Sequence, residues 1–286
     1  MRLALLLALF AGCSSPSRPV VTVPPPDPKP VEAPPIAVPD PAPPGLRLPG
    51  DVRPTQYALD LTIVPDQAKA TGRVSIAAQV TRPTRVVWLN ATDLSIEKAT
   101  LGGRAARVIA GGTDFVGFTV DAELPVGPLA IEVAFGMSID RTKSRGLYSE
   151  REGTDWYAYT FFEPIDARRA FPCFDEPAYK VPWQLTFHVK KDHTALANAA
   201  VVRETDEPNG MKRVELAVSK PLPSYLVAFV VGPFELVDGG TAGRVKTAIR
   251  FIIPKGRAGE LRYAKQITPK VVTALEDYFD MDYPYG

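Results

Sequence analysis

Gln56-Tyr57-Ala58-Leu59-Asp60-Leu61-Thr62-Ile63 sets its large apolar side chains, Tyr57, Leu59, Leu61 and Ile63, at every second position. A period of two is the mark of a strand with one buried face. The pattern continues outward. Val74, Ile76, Ala78 and Val80 repeat it after a turn expected around Thr71-Gly72. Arg85 to Asn90, Phe115 to Val120 and Leu129 to Phe135 are further short strands between Gly, Pro and Asp signals. Leu185, Phe187 and Val189 form the next, then Val214, Leu216 and Val218. Tyr225 to Val231 is an uninterrupted apolar run, which predicts a strand buried on both faces. Many short strands with frequent turns give an all-β fold, a β-sandwich or open barrel, and no internal repeat is visible.

The two ends depart from this pattern. Arg250 to Ile253 is a last strand candidate, closed by Pro254-Lys255-Gly256. From Ala258 to Phe279, Leu261, Ala264, Val271, Leu275 and Tyr278 recur at helical spacing, and Pro269 predicts a kink or two helices. An aromatic loop, Met281 to Gly286, follows, so the chain reads as an interrupted part of a longer protein. At the other end, Met1-Arg2 precedes the apolar run Leu3 to Phe10, shorter than the about 20 residues that cross a bilayer. Ala11-Gly12-Cys13 then makes a lipobox-like site, with Cys13 the expected lipidated residue of a secretory signal over 1–13. An ordinary cleaved signal, with Cys13 lost, is the other reading. The stretch 14–48 carries about half of the 30 prolines and suits a semi-rigid tether. These features predict an exported chain anchored to a bacterial membrane. Ser14, not Asp, after the cysteine favours the outer membrane or periplasmic face.

Charge excludes one class of partner. With 33 basic and 32 acidic residues interspersed, no stripe fits a nucleic acid. Cys173 has no cysteine partner in the mature chain once Cys13 is lipidated, and is expected to be a buried small apolar residue.

Phe171-Pro172-Cys173-Phe174-Asp175-Glu176-Pro177, preceded by Asp166-Ala167-Arg168-Arg169-Ala170, is the most specific string in the chain. By itself, Asp175 before Glu176-Pro177 predicts a helix N-cap, with Phe171 and Phe174 packed beneath and Arg168 or Arg169 paired to carboxylates. The string also resembles the signature of the aminopeptidase N family of zinc metallopeptidases, the membrane alanyl aminopeptidases. Ordered landmarks agree with that resemblance. They are Arg53 to Leu59, Leu89-Asn90-Ala91, Arg145-Gly146-Leu147-Tyr148, Pro223 to Phe229, and Tyr278-Phe279 with Tyr283-Pro284.

The resemblance implies a saddle-like N-terminal β-domain over 49–243 and the beginning of a metallopeptidase catalytic domain over 244–286. It implies that Glu163, in Thr160-Phe161-Phe162-Glu163-Pro164, binds the free α-ammonium of a peptide substrate. Phe161 stands where relatives often carry Gln, and Glu163-Pro164 has the sequence of a cis bond. The family's zinc site needs His-Glu-x-x-His on a helix. This chain has only His188 and His193, around Val189-Lys190-Lys191-Asp192, which read as exposed or strand-face histidines. No metal, cofactor or catalytic residue is therefore expected here, and zinc belongs to a full-length relative. The implied function is the substrate-anchoring part of a lipid-anchored zinc aminopeptidase. Its partners would be peptide N-termini, a membrane, and a catalytic domain in cis or in trans. The alternative is a stand-alone, non-catalytic binding or scaffold lipoprotein.

Overall fold

The computed structural model describes Gly12 and residues 40–285, so Cys13 and most of the proline-rich stretch lie outside the described residues. Among the described residues, seventeen strands follow one another. The first ten are β1 (Val52–Thr62), β2 (Lys69–Val80), β3 (Thr84–Asn90), β4 (Ser95–Leu101), β5 (Arg104–Ala105), β6 (Arg107–Gly111), β7 (Phe115–Leu124), β8 (Gly127–Ser138), β9 (Gly146–Glu152) and β10 (Asp155–Phe161). The others are β11 (Trp183–Lys190), β12 (Thr194–Ala197), β13 (Val201–Glu207), β14 (Met211–Leu216), β15 (Phe229–Gly232), β16 (Phe234–Ala242) and β17 (Thr247–Pro254). One α-helix among the described residues, α1 (Arg262–Phe279), comes last. The fold is all-β with a short helical end, as the alternation predicts.

The largest sheet has eight strands in the order β13-β14-β11-β1-β2-β8-β4-β5. Only β1 and β11 in it are parallel. A three-stranded sheet, β3-β7-β6, and a four-stranded sheet, β12-β15-β10-β9, contribute to the same core. Tyr57, Leu59, Leu61 and Ile63 are each at most 1% exposed, so the opening alternation is a true inward face. They share one continuous core with Val87, Leu89 and Phe118 from the three-stranded sheet and Ala158, Phe229 and Val231 from the four-stranded one. Burying side chains of this size contributes about 1.5–3 kcal/mol each, which is what holds the sheets face to face.

Several expectations need correction. The turn after β1 lies at 65–68, where Gln67 N–H donates to the Val64 carbonyl at 2.9 Å, not at Thr71-Gly72. Gly72 is inside β2, opposite Leu61 and Phe135. A Cβ there would sit 2.6 Å from Leu61 Cδ2 and 2.8 Å from Phe135 Cζ, so this glycine makes room for packing. Tyr225 to Val231 is not a strand buried on both faces: a 3-10 turn takes Ser224–Leu226, and β15 buries Phe229 and Val231 while Val230 is half-exposed. Its apolar run is longer than the strand it feeds. Val218 falls outside β14 and is exposed. Pro269 lies inside the single helix α1; it removes one N–H donor, and the helix runs on to Phe279.

β16 and β17 pair as a separate hairpin, Phe234 against Pro254 through Ala242 against Thr247. The hairpin spans the 243/244 position at which the resemblance divides the chain. Phe234, Ala242, Ile253 and Leu261 are buried but stand apart from the main core. On α1 only Glu276 is buried, whereas Tyr263, Val271, Leu275, Tyr278 and Phe279 are exposed. Glu276 ties the helix to the hairpin: its carboxylate accepts from the backbone N–H of Arg244 at 2.6 Å.

Candidate functional site

At the end of β10 the chain makes a turn that lifts Glu163 away from the core. Phe162 anchors it. This side chain is 2% exposed and meets Phe171 edge to face at 5.5 Å and Phe229 at 6.0 Å. Four residues later the backbone closes back, with Asp166 N–H donating to the Phe162 carbonyl at 2.8 Å. The Glu163-Pro164 bond is cis, as its sequence allows. A 3-10 turn, Ala167–Arg169, follows directly. Phe161, Glu163 and Ile165 are all exposed, so the loop presents one carboxylate between two apolar side chains. Glu163 makes no hydrogen bond or ion pair among the described residues.

The ground beneath that turn is built from the most specific string in the sequence. Phe171, Cys173, Phe174 and Asp175 are each at most 4% exposed. Cys173 and Asn90 exchange backbone hydrogen bonds of 3.1 and 2.8 Å, an antiparallel bridge that pins the string to the end of β3. Phe174 N–H donates to the Tyr57 hydroxyl at 2.9 Å, and Asp175 N–H to Asn90 Oδ1 at 3.0 Å. Tyr57 also stacks on Trp183 at 3.8 Å and 7°.

Asp175 is not an N-cap. No helix follows it; residues 176–179 form one turn, and the carboxylate points into the protein. There it accepts from Ser224 Oγ at 2.5 Å and from Arg168 Nε at 2.9 Å. A nearly fully buried carboxylate is tolerated because a guanidinium and a hydroxyl both face it. Proline near position 177 satisfies a tight turn as well as it would a helix start, which explains the misreading. Arg169 pairs as expected, with Asp166 at 2.9 Å and Asp93 at 2.6 Å. Asn90 and Ser224, 2% and 1% exposed, were legible only as landmarks. The available signal was a polar side chain closing an apolar strand, Trp88-Leu89-Asn90.

His188, His193 and Cys173 do not assemble a second centre. His188, on β11, is held between Glu207 at 2.8 Å and Asp60 at 3.2 Å. Burial works against its charge, but the hydrogen bond to Glu207 and the charge of Asp60 outweigh that and raise its pKa above the ordinary value. His193 is buried, not exposed, and burial lowers its pKa. Cys173 is a fully buried free thiol, as expected, and burial drives its pKa well up. That keeps it protonated and unreactive. No group of three or more His, Cys, Asp or Glu side chains able to hold a metal occurs among the described residues. The donor set of the described residues does not fit zinc.

Comparison with known proteins agrees with this architecture. Residues 53–226 match the family model described as Peptidase M1 N-terminal domain, and that match covers more than half of the chain. The chain belongs to the M1 peptidase family. Aminopeptidase M1-C of Oryza sativa subsp. japonica is 34% identical over 245 residues, covering 83% of this chain and 28% of the relative. Puromycin-sensitive aminopeptidase of Caenorhabditis elegans is 31% identical over 250 residues, 83% of this chain and 26% of the relative. Aminopeptidase N of Acetobacter pasteurianus is 29% identical over 245 residues, and there the match covers 68% of the relative. Against the plant and worm relatives, this M1 chain spans little more than a quarter of their length.

Proposed function

We propose that this chain is the substrate-anchoring N-terminal part of an M1 zinc aminopeptidase that removes N-terminal residues from peptides. Glu163 receives the peptide's α-ammonium. The observation that carries this reading is a carboxylate on a pinned turn, exposed and without a partner among the described residues. An exopeptidase has to recognise a terminal charge. A charge-assisted hydrogen bond to a carboxylate does so, most strongly where a second domain excludes water. Phe161 and Ile165 would flank the first residue of the peptide. Zinc and the general base would come from a segment that this sequence does not contain. On this reading 49–243 is the β-domain and 244–286 begins the catalytic domain. Cys13 carries the lipid and 14–48 is the tether of an exported, membrane-anchored protein.

The test is a polypeptide in which this chain is followed by the zinc-bearing segment of an M1 aminopeptidase. Glu163→Gln is expected to lower kcat/KM on amino-acyl substrates by about 100-fold or more. An unchanged kcat/KM would refute the assignment. This chain alone is expected to hold no stoichiometric zinc and to hydrolyse no amino-acyl fluorogenic substrate. Chelator-sensitive turnover by it would overturn the division of labour. Lipidation is read separately, as the mass of the mature N-terminus; an unmodified chain beginning elsewhere would exclude it.

A further inference from the structure

A cleft of about 280 Å³ opens beside the Glu163 turn, lined by Asp93, Ser138, Asp140, Arg141, Arg145 and Arg169. It shares a wall with the turn, because Arg169 also holds Asp166, whose backbone closes the loop around Glu163. Strand register places the two even closer. Gly146 lies opposite Phe161 in the β9–β10 pair, so Arg145 and Glu163 leave the same end of that hairpin.

Most charges around the cleft are already answered. Arg169 is bound by Asp166 and Asp93. Arg141 lies 4.4 Å over the Trp156 ring and donates to the Asp66 carbonyl at 2.6 Å. Asp140 Oδ1 accepts from Thr142 N–H at 2.8 Å, Thr142 Oγ1 at 2.9 Å and Lys143 N–H at 3.0 Å. Arg145 is the most loosely held, with an ion pair to Asp140 but no hydrogen bond to it. Its Nε stands 3.7 Å from Asp140 Oδ2, too far for a hydrogen bond. That nitrogen is buried and has no acceptor among the described residues. A buried N–H without an acceptor is costly, and the rest of this part-exposed guanidinium is a planar fork that matches a carboxylate in two-point fashion.

We propose that the Arg145 cleft is a carboxylate subsite, taking an acid group of the same peptide whose ammonium meets Glu163. The inference rests on the Glu163 reading for the identity of its ligand as a peptide. The acid belongs to a part of the peptide beyond the ammonium that Glu163 holds. It is either an Asp or Glu side chain or the peptide's terminal carboxylate.

The experiment is an amide NMR titration of the full isotope-labelled chain with four probes. N-acetyl-glutamate α-amide carries only a side-chain carboxylate, and N-acetylglycine only a terminal one. Alanine amide carries only the ammonium. Ala-Glu with an amidated end carries both charges. The carboxylate probes should shift Gly146 and Ser138, and Arg145→Gln should weaken that response about tenfold, with Arg145→Lys in between. Whichever of the two carboxylate probes responds more strongly identifies the source of the acid. Ala-Glu amide should bind more tightly than alanine amide in the native chain and no more tightly in the Arg145→Gln variant. Carboxylate probes that leave these residues unmoved, or move them equally in both proteins, overturn the subsite. Failure of the Glu163 reading looks different: alanine amide would act identically on the native chain and Glu163→Gln, while the carboxylate response persisted. Arg145 is 39% exposed, so its replacement should leave the rest of the spectrum in place.

Discussion

Phe171 to Asp175 and Phe161 to Ile165 are separated by one 3-10 turn, and the protein treats their polar groups in opposite ways. In the first stretch every side chain is buried, and Asp175 is met by both Ser224 and Arg168. In the second, Glu163 is exposed and has no hydrogen bond or ion pair among the described residues. The more distinctive string is the one that builds, and the plainer one carries the candidate chemistry. A buried polar group must be satisfied by its own protein, whereas a carboxylate meant for a ligand has to be left unsatisfied until that ligand arrives.

Breaking the first stretch should have the largest effect. Asp175→Ala strips Arg168 of its buried counter-charge and Ser224 of its acceptor. The expected loss is about 3–5 kcal/mol, read from urea unfolding. A loss under about 1 kcal/mol would mean that the network is not holding the site. Tyr57→Phe keeps the stacking on Trp183 and removes only the acceptor for Phe174 N–H. It should cost about 1–3 kcal/mol; no measurable change would show that water replaces the hydroxyl.

A third, smaller effect depends on pH. The folded-state pKa of His188 is raised, so the His188–Asp60–Glu207 contact stabilises most where the imidazole is charged in both folded and unfolded chains, below about 6.5. That contribution fades as pH rises through the higher folded value. The gap in urea midpoint between the native chain and His188→Gln should therefore narrow from about pH 5.5 to pH 8.5. A gap that is constant or widens contradicts the assignment. The smallest effect on stability belongs to the second stretch. Glu163→Gln should leave unfolding within about 0.5 kcal/mol of the native chain. A larger loss would give Glu163 a structural partner that the fold does not show.

Legibility followed the same division. The period-two faces of β1, β2 and β8 could be read directly, because a strand with one buried face has to alternate. Tyr225 to Val231 was misread because apolar content does not say where a strand begins, and the 3-10 turn at Ser224–Leu226 uses the same residue types. Gly72 was misread because a glycine that makes room for Leu61 and Phe135 looks, in sequence, like a glycine that turns the chain. Glu163 was legible only through family resemblance. Nothing local separates it from any other exposed glutamate. Arg145 was legible only as a family landmark and its cleft not at all, since Asp93, Asp140 and Arg169 join it only through the fold.

The central claim is that Glu163 is held out of the protein's own network for a ligand's ammonium. The direct measurement is a two-by-two comparison of inhibitor binding in the polypeptide that adds a zinc-bearing M1 segment. An amino-acyl inhibitor and its des-amino counterpart are each measured against the native protein and Glu163→Gln. A coupling of about 2 kcal/mol or more between the carboxylate and the amine is predicted. Coupling within about 0.5 kcal/mol of zero, the range of independent sites, would contradict it.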